Sequence, residues 1–256
     1  MVSKKTYIML FSILAIFTGV VLFFGATYEQ GYFSIIIDPV HKLTYRNDKW
    51  NFDNENLGVA DRGYEIYDET GYIGKYTVTN IASKKRWFIY DKNMAEVSKI
   101  GEIFGFKSNL DYEYVSPEVS SLTASDEQYI TNALEENNLN IDQANSYSTK
   151  YIVDLDGDNN KDTVLVSNLS YDSSYESSSY AIIVAIIKNK EYTLYVKGRE
   201  NDSGYETPFV NVVAIFDIKK DGYKEMIIKE TFFGESNSCA SVIEFDKNGF
   251  KKHLKC

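Results

Sequence analysis

Residues 151–166 read YIVDLDGDNNKDTVLV, two apolar runs that flank a loop rich in aspartate. The runs 151–153 and 163–166 consist mostly of β-branched and aromatic residues, which favour strands. Asp154, Asp156, Asp158 and Asp162 stand at positions 1, 3, 5 and 9 of the segment between them. This stretch therefore predicts a strand–loop–strand unit that brings four carboxylates together.

Aspartates at alternate positions of a curled loop can direct their oxygens toward one point. Without a cation these like charges would repel one another. Ca²⁺ prefers six to eight oxygen ligands at about 2.3–2.6 Å. We therefore predict one structural Ca²⁺ site. Its ligands would be the side chains of Asp154, Asp156, Asp158 and Asp162 and the backbone carbonyl of Asn160.

Three other interpretations of the acidic loop are weaker. An EF-hand needs Gly at position 6 and Glu at position 12, where this chain has Asn159 and Leu165. Mg²⁺ is disfavoured because it prefers octahedral sites rich in water. A solvated acidic turn without metal remains the alternative to a calcium site.

A degenerate second copy of the unit follows. Residues 212–228 read VVAIFDIKKDGYKEMII, and their Asp217 stands 63 residues after Asp154. The copy keeps Asp217, Asp221, Gly222 and Glu225. However, Lys219 takes the third position, where an ammonium would repel Ca²⁺ and could itself neutralise the carboxylates. We predict that the second loop is free of metal.

Each loop is followed by a further pair of strand-like runs, 180–187 with 191–196 and 239–245 with 250–256. About four strands per copy indicate one supersecondary unit used twice. The predicted fold class is mainly β with one α-helix in the ectodomain, built of antiparallel β repeats, plus an N-terminal transmembrane helix.

The loop and its flanking strands resemble the calcium-binding repeat of FG-GAP and VCBS-type β-propeller proteins, which include the integrin α-subunit blades. The pattern of that family is Asp-x-Asp/Asn-x-Asp-Gly-x-x-Asp between two strands. The four aspartates match its side-chain ligands, Asn160 matches its carbonyl donor, and Asn159 stands where the family usually has Gly. The resemblance covers residues 148–256 and implies that these antiparallel β repeats are propeller-blade-like. A closed propeller needs at least four blades, and two copies are visible here.

The N-terminus predicts a membrane anchor. Residues 7–26 carry no charge over twenty positions, enough for a helix to cross about 30 Å of hydrocarbon. Lys4 and Lys5 precede this run, which places the N-terminus in the cytoplasm and the rest of the chain outside. A cleaved signal peptide is the alternative. We expect a single-pass signal-anchored protein at the cell membrane with an extracytoplasmic C-terminal domain.

The predicted organisation has five parts. They are a cytoplasmic tail (1–6), the transmembrane anchor (7–26), a β-rich domain (27–121), a helix with linker (122–147) and the two-copy repeat module (148–256). The β-rich domain has strand-like runs at 33–37, 72–79, 86–90 and 107–115. Gly58, Gly63 and Gly71 are interpreted as loop residues.

A single helix is predicted after residue 124. Ser125 can cap its free N–H groups, and Gln128 stands at the capping-box position. Ile130 and Leu134 are four residues apart and face a core, most simply the neighbouring sheet. The helix is expected to end near Asn137.

The only two cysteines, Cys239 and Cys256, are predicted to form a disulfide. Residues 240–245 and 250–255 suggest strands around a turn at 246–249. A two- or four-residue turn places the two cysteines opposite each other. A three-residue loop with a bulge at Gly249 would shift the register by one and leave the thiols unpaired.

Composition limits the function classes. A formal charge of −10 argues against nucleic-acid binding. The two histidines, His41 and His253, have no metal-ligand spacing, and no nucleophile or phosphate-binding motif is present, so no catalytic residues are predicted. We expect a membrane-held binding or assembly module for a protein or glycan partner, with tyrosines that could stack on sugars. The alternatives are an extracellular carboxylate-dependent hydrolase and an accessory subunit of a membrane complex.

Overall fold

The fold is that of a computed structural model. It describes residues 31–37, 41–52, 60–68, 71–81, 86–90, 104–139, 146–169, 180–198, 208–232 and 238–255. Residues 32–256 belong to one compact unit. Three antiparallel sheets and one helix make up the described part of this unit.

The first sheet, the N-terminal sheet, has seven strands in the order β3-β2-β1-β7-β4-β5-β6. Its strands are β1 (Tyr32–Ile37), β2 (His41–Arg46), β3 (Lys49–Phe52), β4 (Ala60–Asp68), β5 (Gly71–Ile81), β6 (Arg86–Tyr90) and β7 (Phe104–Ser108).

The predicted repeat forms two further sheets of identical topology. Repeat sheet 1 contains β10 (Ser146–Val153), β11 (Asp162–Leu169), β12 (Tyr180–Ile187) and β13 (Lys190–Gly198). Repeat sheet 2 contains β14 (Phe209–Asp217), β15 (Glu225–Thr231), β16 (Ser238–Asp246) and β17 (Gly249–Lys255). Each is a four-stranded meander in which sequence neighbours pair, as the repeat predicts.

One short segment ties the two repeat sheets together. Strand β8 (Glu113–Val115) pairs with β14, and strand β9 (Glu118–Ser120) pairs with β10. Pro117 lies between the two strands, where its missing N–H costs no ladder hydrogen bond. Residues 113–120 therefore give each meander its fifth strand.

The sheets stack in layers because the repeat strands are apolar on both faces. In β12, whose sequence is YAIIVAII, one set of alternate residues faces repeat sheet 2 and the other faces the helix. Such uninterrupted apolar runs mark strands that are covered on both sides. The opposite face of repeat sheet 2 packs against the N-terminal sheet, where Phe216 lies 4.8 Å from Phe33 and 5.1 Å from Phe106 between ring centroids.

The helix α1 (Ala124–Glu136) covers the outer face of repeat sheet 1. Ile130 and Leu134 are buried there and the C-cap is Asn137, as predicted. The predicted cap is wrong by two residues: Thr123, not Ser125, is the N-cap. Its backbone N–H donates to Asp126 Oδ2 at 2.7 Å. Asp126, not Gln128, is the capping partner, and a salt bridge to Lys150 at 2.8 Å also fixes its carboxylate.

The β-rich N-terminal part differs from its prediction in detail. Strands β2, β3 and β4 were not predicted, and the run 107–115 is divided between β7 and β8. Gly63 lies inside β4 rather than in a loop. Its φ of 87° fits a β-bulge, where the register with β5 shifts between Arg62 and Tyr64. Gly71 begins β5, and Gly58 lies outside the described residues.

The predicted transmembrane helix, and with it the predicted membrane location, is corrected by the structure. Among the residues described, no helix has the length and apolar character that a bilayer crossing requires. The single described helix has 13 residues and is mostly polar. Residues 7–26 lie outside the described part of the chain.

The last hairpin has the register that the sequence predicts. Asp246 pairs with Gly249 and Ala240 with Lys255 across a two-residue turn. Cys239 is disulfide-bonded, and the only other cysteine of the chain, Cys256, lies outside the described residues.

We expect Phe216→Ala to destabilise the stacked sheets together, because Phe216 is fully buried between two of them. The cavity should cost about 3–5 kcal/mol of unfolding free energy. Urea unfolding followed by tryptophan fluorescence and by circular dichroism should show the same shift of midpoint. Tyr147→Ala is the control, since this ring is 64% exposed. A change below about 1 kcal/mol in Phe216→Ala would contradict the packing described.

Candidate functional site

The loop between the first two strands of each repeat meander is held together by an equivalent hydrogen bond. In the first loop, between β10 and β11, the N–H of Leu155 donates to Asp162 Oδ2 at 2.8 Å. In the second, between β14 and β15, the N–H of Ile218 donates to Glu225 Oε2 at 2.9 Å. In each loop, the last acidic side chain thus accepts a hydrogen bond from the backbone of the residue that follows the first aspartate. The two loops are therefore structurally equivalent.

The first aspartate of each loop organises the turn inside it. Asp154 accepts the N–H groups of Gly157 and Asn159 at 2.8 and 2.9 Å, and Asp217 accepts the N–H of Gly222 at 3.1 Å. Asn159 and Gly222 are equivalent and have φ of 66° and 93°. This left-handed conformation explains how Asn replaces Gly at position 159.

Three of the predicted metal ligands converge. One carboxylate oxygen from each of Asp154, Asp156 and Asp162 lies within 4.8 Å of the others. Asp162 is 4% exposed. Burial raises the pKa of Asp162 to about 6, the N–H of Leu155 opposes this shift, and the neighbouring aspartates add to it. The cluster therefore concentrates negative charge at a partly buried place.

The fourth predicted aspartate ligand, Asp158, behaves differently. Asp158 does not join the cluster: its Oδ1 accepts the N–H of Asn160 at 2.8 Å and its Oδ2 lies 3.2 Å from Lys188 Nζ. The Asn160 hydrogen bond is the main cause that holds the pKa of Asp158 below its usual value. The residues brought together are thus Asp154, Asp156 and Asp162.

Lys188 supplies a cation to the edge of the cluster. Its Nζ lies 2.6 Å from Asp156 Oδ2, and the side chain is 61% exposed. It stands in the two-residue β12–β13 turn, and its φ of 52° is typical of such a turn. Sequence reasoning missed this residue, because no spacing relates a hairpin turn to a loop in another part of the chain.

The donor set of the first loop fits a hard divalent cation. Carboxylate oxygens are the ligands that Ca²⁺ prefers, and each oxygen has two acceptor sites. The N–H groups that already bind Asp154 and Asp162 therefore leave room for a metal–oxygen bond. No lysine or arginine within the described ranges forms an ion pair with Asp154 or Asp162.

The second loop contains its own cation. Lys224 Nζ lies 3.2 Å from Asp217 Oδ2 and donates to the carbonyl oxygen of Gly222 at 2.9 Å. Both Lys224 and Asp217 are buried. The ammonium thus contacts one carboxylate and one backbone carbonyl, the two kinds of oxygen that a metal would use.

This arrangement corrects the role expected of Lys219. Its ammonium leaves the loop and pairs with Glu244 of β16. Lys224 instead neutralises Asp217, while burial raises the pKa of Glu225 to about 8. The absence of metal from the second loop stays a prediction, now with Lys224 as its physical reason.

The equivalent lysine of the first loop points elsewhere. Lys161 pairs with Glu118 at 2.6 Å, and the two side chains are 65% and 60% exposed. Because Lys161 and Lys224 have the same sequence position in their loops, the sequence alone does not distinguish the inward lysine from the outward one.

The two loops touch each other at their glycines. A Cβ at Gly157 would lie 2.7 Å from the backbone of Gly222, and the φ of 73° at Gly157 also favours glycine. The N–H of Lys224 donates to the carbonyl oxygen of Leu155 at 3.0 Å. A change of charge in one loop should therefore affect the electrostatic environment of the other.

Comparison of the chain with protein-family models, with curated proteins and with solved structures finds no match. The resemblance to the FG-GAP and VCBS-type repeat therefore stays a prediction. It rests on the loop residues and on the four-stranded meander that follows each loop.

We expect Lys224→Met to be strongly destabilising. It would leave the Asp217 carboxylate buried without a cation, and Asp217 Oδ1 already has no hydrogen-bond partner among the described residues. Removing one partner of a buried pair costs about 3–5 kcal/mol. Lys220→Met is the matched control in the same loop, because Lys220 and its partner Asp111 are 47% and 85% exposed. Equal unfolding free energies for the two variants in urea would contradict the role of Lys224.

The raised pKa of Glu225 predicts a pH dependence of stability. Since the folded pKa is about 8 and the ordinary value is 4.5, the folded state holds this proton more tightly. The resulting stability is complete below about pH 4.5 and is lost as the pH rises through about 8. Glu225→Gln keeps an acceptor for Ile218 and should lose less stability between about pH 5 and pH 9 in urea unfolding. Glu135→Gln, at an exposed helix residue, should retain the wild-type slope; the same slope in Glu225→Gln would refute the assignment.

Proposed function

We propose that the chain is a binding module whose first repeat loop holds one structural Ca²⁺ ion. Asp154, Asp156 and Asp162 would be its side-chain ligands. The ion would neutralise the cluster and fix the connection between β10 and β11. It would have no part in a reaction.

One observation carries this proposal: the equivalent loop already has a cation. Lys224 places an ammonium against Asp217, the counterpart of Asp154. In the first loop the equivalent Lys161 points away, yet three carboxylates still converge within 4.8 Å. The same loop geometry thus needs positive charge in both copies. In the first copy Lys188 pairs with Asp156 but not with Asp154 or Asp162, so an external cation would neutralise these two carboxylates.

A binding role is favoured over a hydrolytic one by the arrangement of the carboxylates. Glycoside hydrolysis needs two carboxyl groups on opposite sides of a substrate. The first loop instead gathers three carboxylates around one point, and its Asp162 is almost fully buried. A partner would therefore bind elsewhere on the surface that this loop stabilises.

We expect the full chain to bind one Ca²⁺ per molecule in calorimetry and to melt at a higher temperature in Ca²⁺ than in chelator. Asp156→Asn should weaken Ca²⁺ binding at least about tenfold, because affinity follows the number of charged ligands. Since Asp162 must lose its proton to bind metal, the affinity should also fall below about pH 6.

Asp111→Asn is the control, as this side chain is 85% exposed and lies outside the loop. It should bind Ca²⁺ like the wild type. The proposal fails if melting temperatures in Ca²⁺ and in chelator are the same and calorimetry shows no heat of binding.

A further inference from the structure

A cleft of about 490 Å³ lies beside the first loop. It is lined by residues of the β12–β13 hairpin, residues of the β16–β17 hairpin, Asp156 and Tyr223. This volume lies in the range of small-molecule sites. The cleft is thus formed where the two repeat sheets end together, next to the proposed metal site.

Aromatic rings form one wall of the cleft. Tyr192 and Phe250 meet edge to face, with ring centroids 6.2 Å apart and planes at 88°. Phe250 is 37% exposed, although it also packs on Phe245 at 6.4 Å. An exposed ring that is held by two neighbours offers a rigid flat surface for stacking.

Ammonium groups form the rim of the cleft. Lys188, Lys190 and Lys247 are all exposed and all line it. Lys190 Nζ lies 4.7 Å from the centre of the Tyr192 ring, so charge and ring are adjacent. In a chain with a net charge of −10, three lysines thus stand together at one edge.

The two acids of the cleft are already engaged. Asp246 Oδ1 accepts the N–H of Asn248 in its own turn at 2.6 Å, and Asp156 pairs with Lys188 at 2.6 Å. Lys188 is thus occupied by Asp156 and Asp158, whereas Lys190 and Lys247 form no ion pair within the described residues. These two lysines outnumber Asp246, the remaining carboxylate of the lining. This rim of ammonium groups is therefore complementary to a negatively charged ligand.

We propose that the cleft binds an acidic saccharide, a short chain of sugar rings that carry sulfate or carboxylate groups. The flat C–H faces of the sugars would stack on Phe250 and Tyr192. Their anionic groups would pair with Lys190 and Lys247. A longer polyanion such as nucleic acid is disfavoured, because outside this rim the acidic surface repels it.

Lys188 couples the cleft to the loop, a step that rests on the proposed calcium site. Its ammonium is now held by Asp156 and Asp158 at 2.6 and 3.2 Å. A Ca²⁺ ion that takes the Asp156 oxygens would repel this ammonium and release it to the cleft. Calcium should then strengthen binding of the saccharide, and the saccharide should strengthen binding of calcium by the same factor.

The test uses the full chain and a chondroitin sulfate tetrasaccharide in calorimetry, first in chelator. The neutral probe is cellotetraose, and the nucleic-acid probe is a thymidine tetranucleotide. The wild type should bind the sulfated probe more tightly than both.

Lys247→Gln should weaken this binding about threefold, and Phe250→Ala about fivefold. Lys49→Gln, an exposed lysine of the N-terminal sheet outside the cleft, should have no effect. Equal affinity for the three probes, or unchanged affinity in both cleft variants, would overturn the proposal.

The same titration in Ca²⁺ tests the coupling. The wild type should gain affinity for the sulfated probe, whereas Lys188→Gln should bind Ca²⁺ but show no gain. An equal gain in both would show that calcium bridges the saccharide without Lys188 and would overturn the coupling. Failure of the calcium site itself would appear separately, as no heat on adding Ca²⁺ alone, while the comparison in chelator still decides whether the cleft binds the saccharide.

Discussion

Neutralisation of carboxylates at the two strand-connecting loops is the constraint on which the repeat module depends. The acidic residue at the end of each loop accepts a hydrogen bond from the backbone at the start of the same loop. This residue is Asp162 in one copy and Glu225 in the other. These acids are buried, so their charge needs a proton or a cation close by. In the second loop Lys224 provides the cation and Glu225 holds a proton near neutral pH. In the first loop Lys188 pairs with Asp156, and we propose that Ca²⁺ neutralises the remaining carboxylates.

The layered fold follows from strands that are apolar on both faces. Strand β12 and its neighbours need cover on two sides, which helix α1 and repeat sheet 2 provide. Repeat sheet 2 is covered in turn by the aromatic residues of the N-terminal sheet. The segment 113–120 links the two meanders through β8 and β9. The loops therefore sit at the ends of strands that are fixed by packing, so their backbone is held in place even where their charges repel.

The sequence predicts features that depend on local pattern and misses those that depend on tertiary placement. The strand–loop–strand unit and the register of the last hairpin both follow from short stretches of chain. The direction of a loop lysine does not: Lys161 and Lys224 have equivalent positions, yet only Lys224 turns inward. Lys188 and Lys150 act on residues far away in sequence, which explains why the acidic loop and the helix cap were predicted with incomplete partners.

The most direct test of the account is a crystal structure grown with Ca²⁺ and measured for anomalous scattering. The account predicts one anomalous peak, bounded by oxygens of Asp154, Asp156 and Asp162, with Lys188 displaced from Asp156. It also predicts no peak in the second loop, where Lys224 remains on Asp217. The account would be contradicted if Lys188 stayed on Asp156 and the first loop showed no peak. It would also be contradicted if a peak in the second loop displaced Lys224.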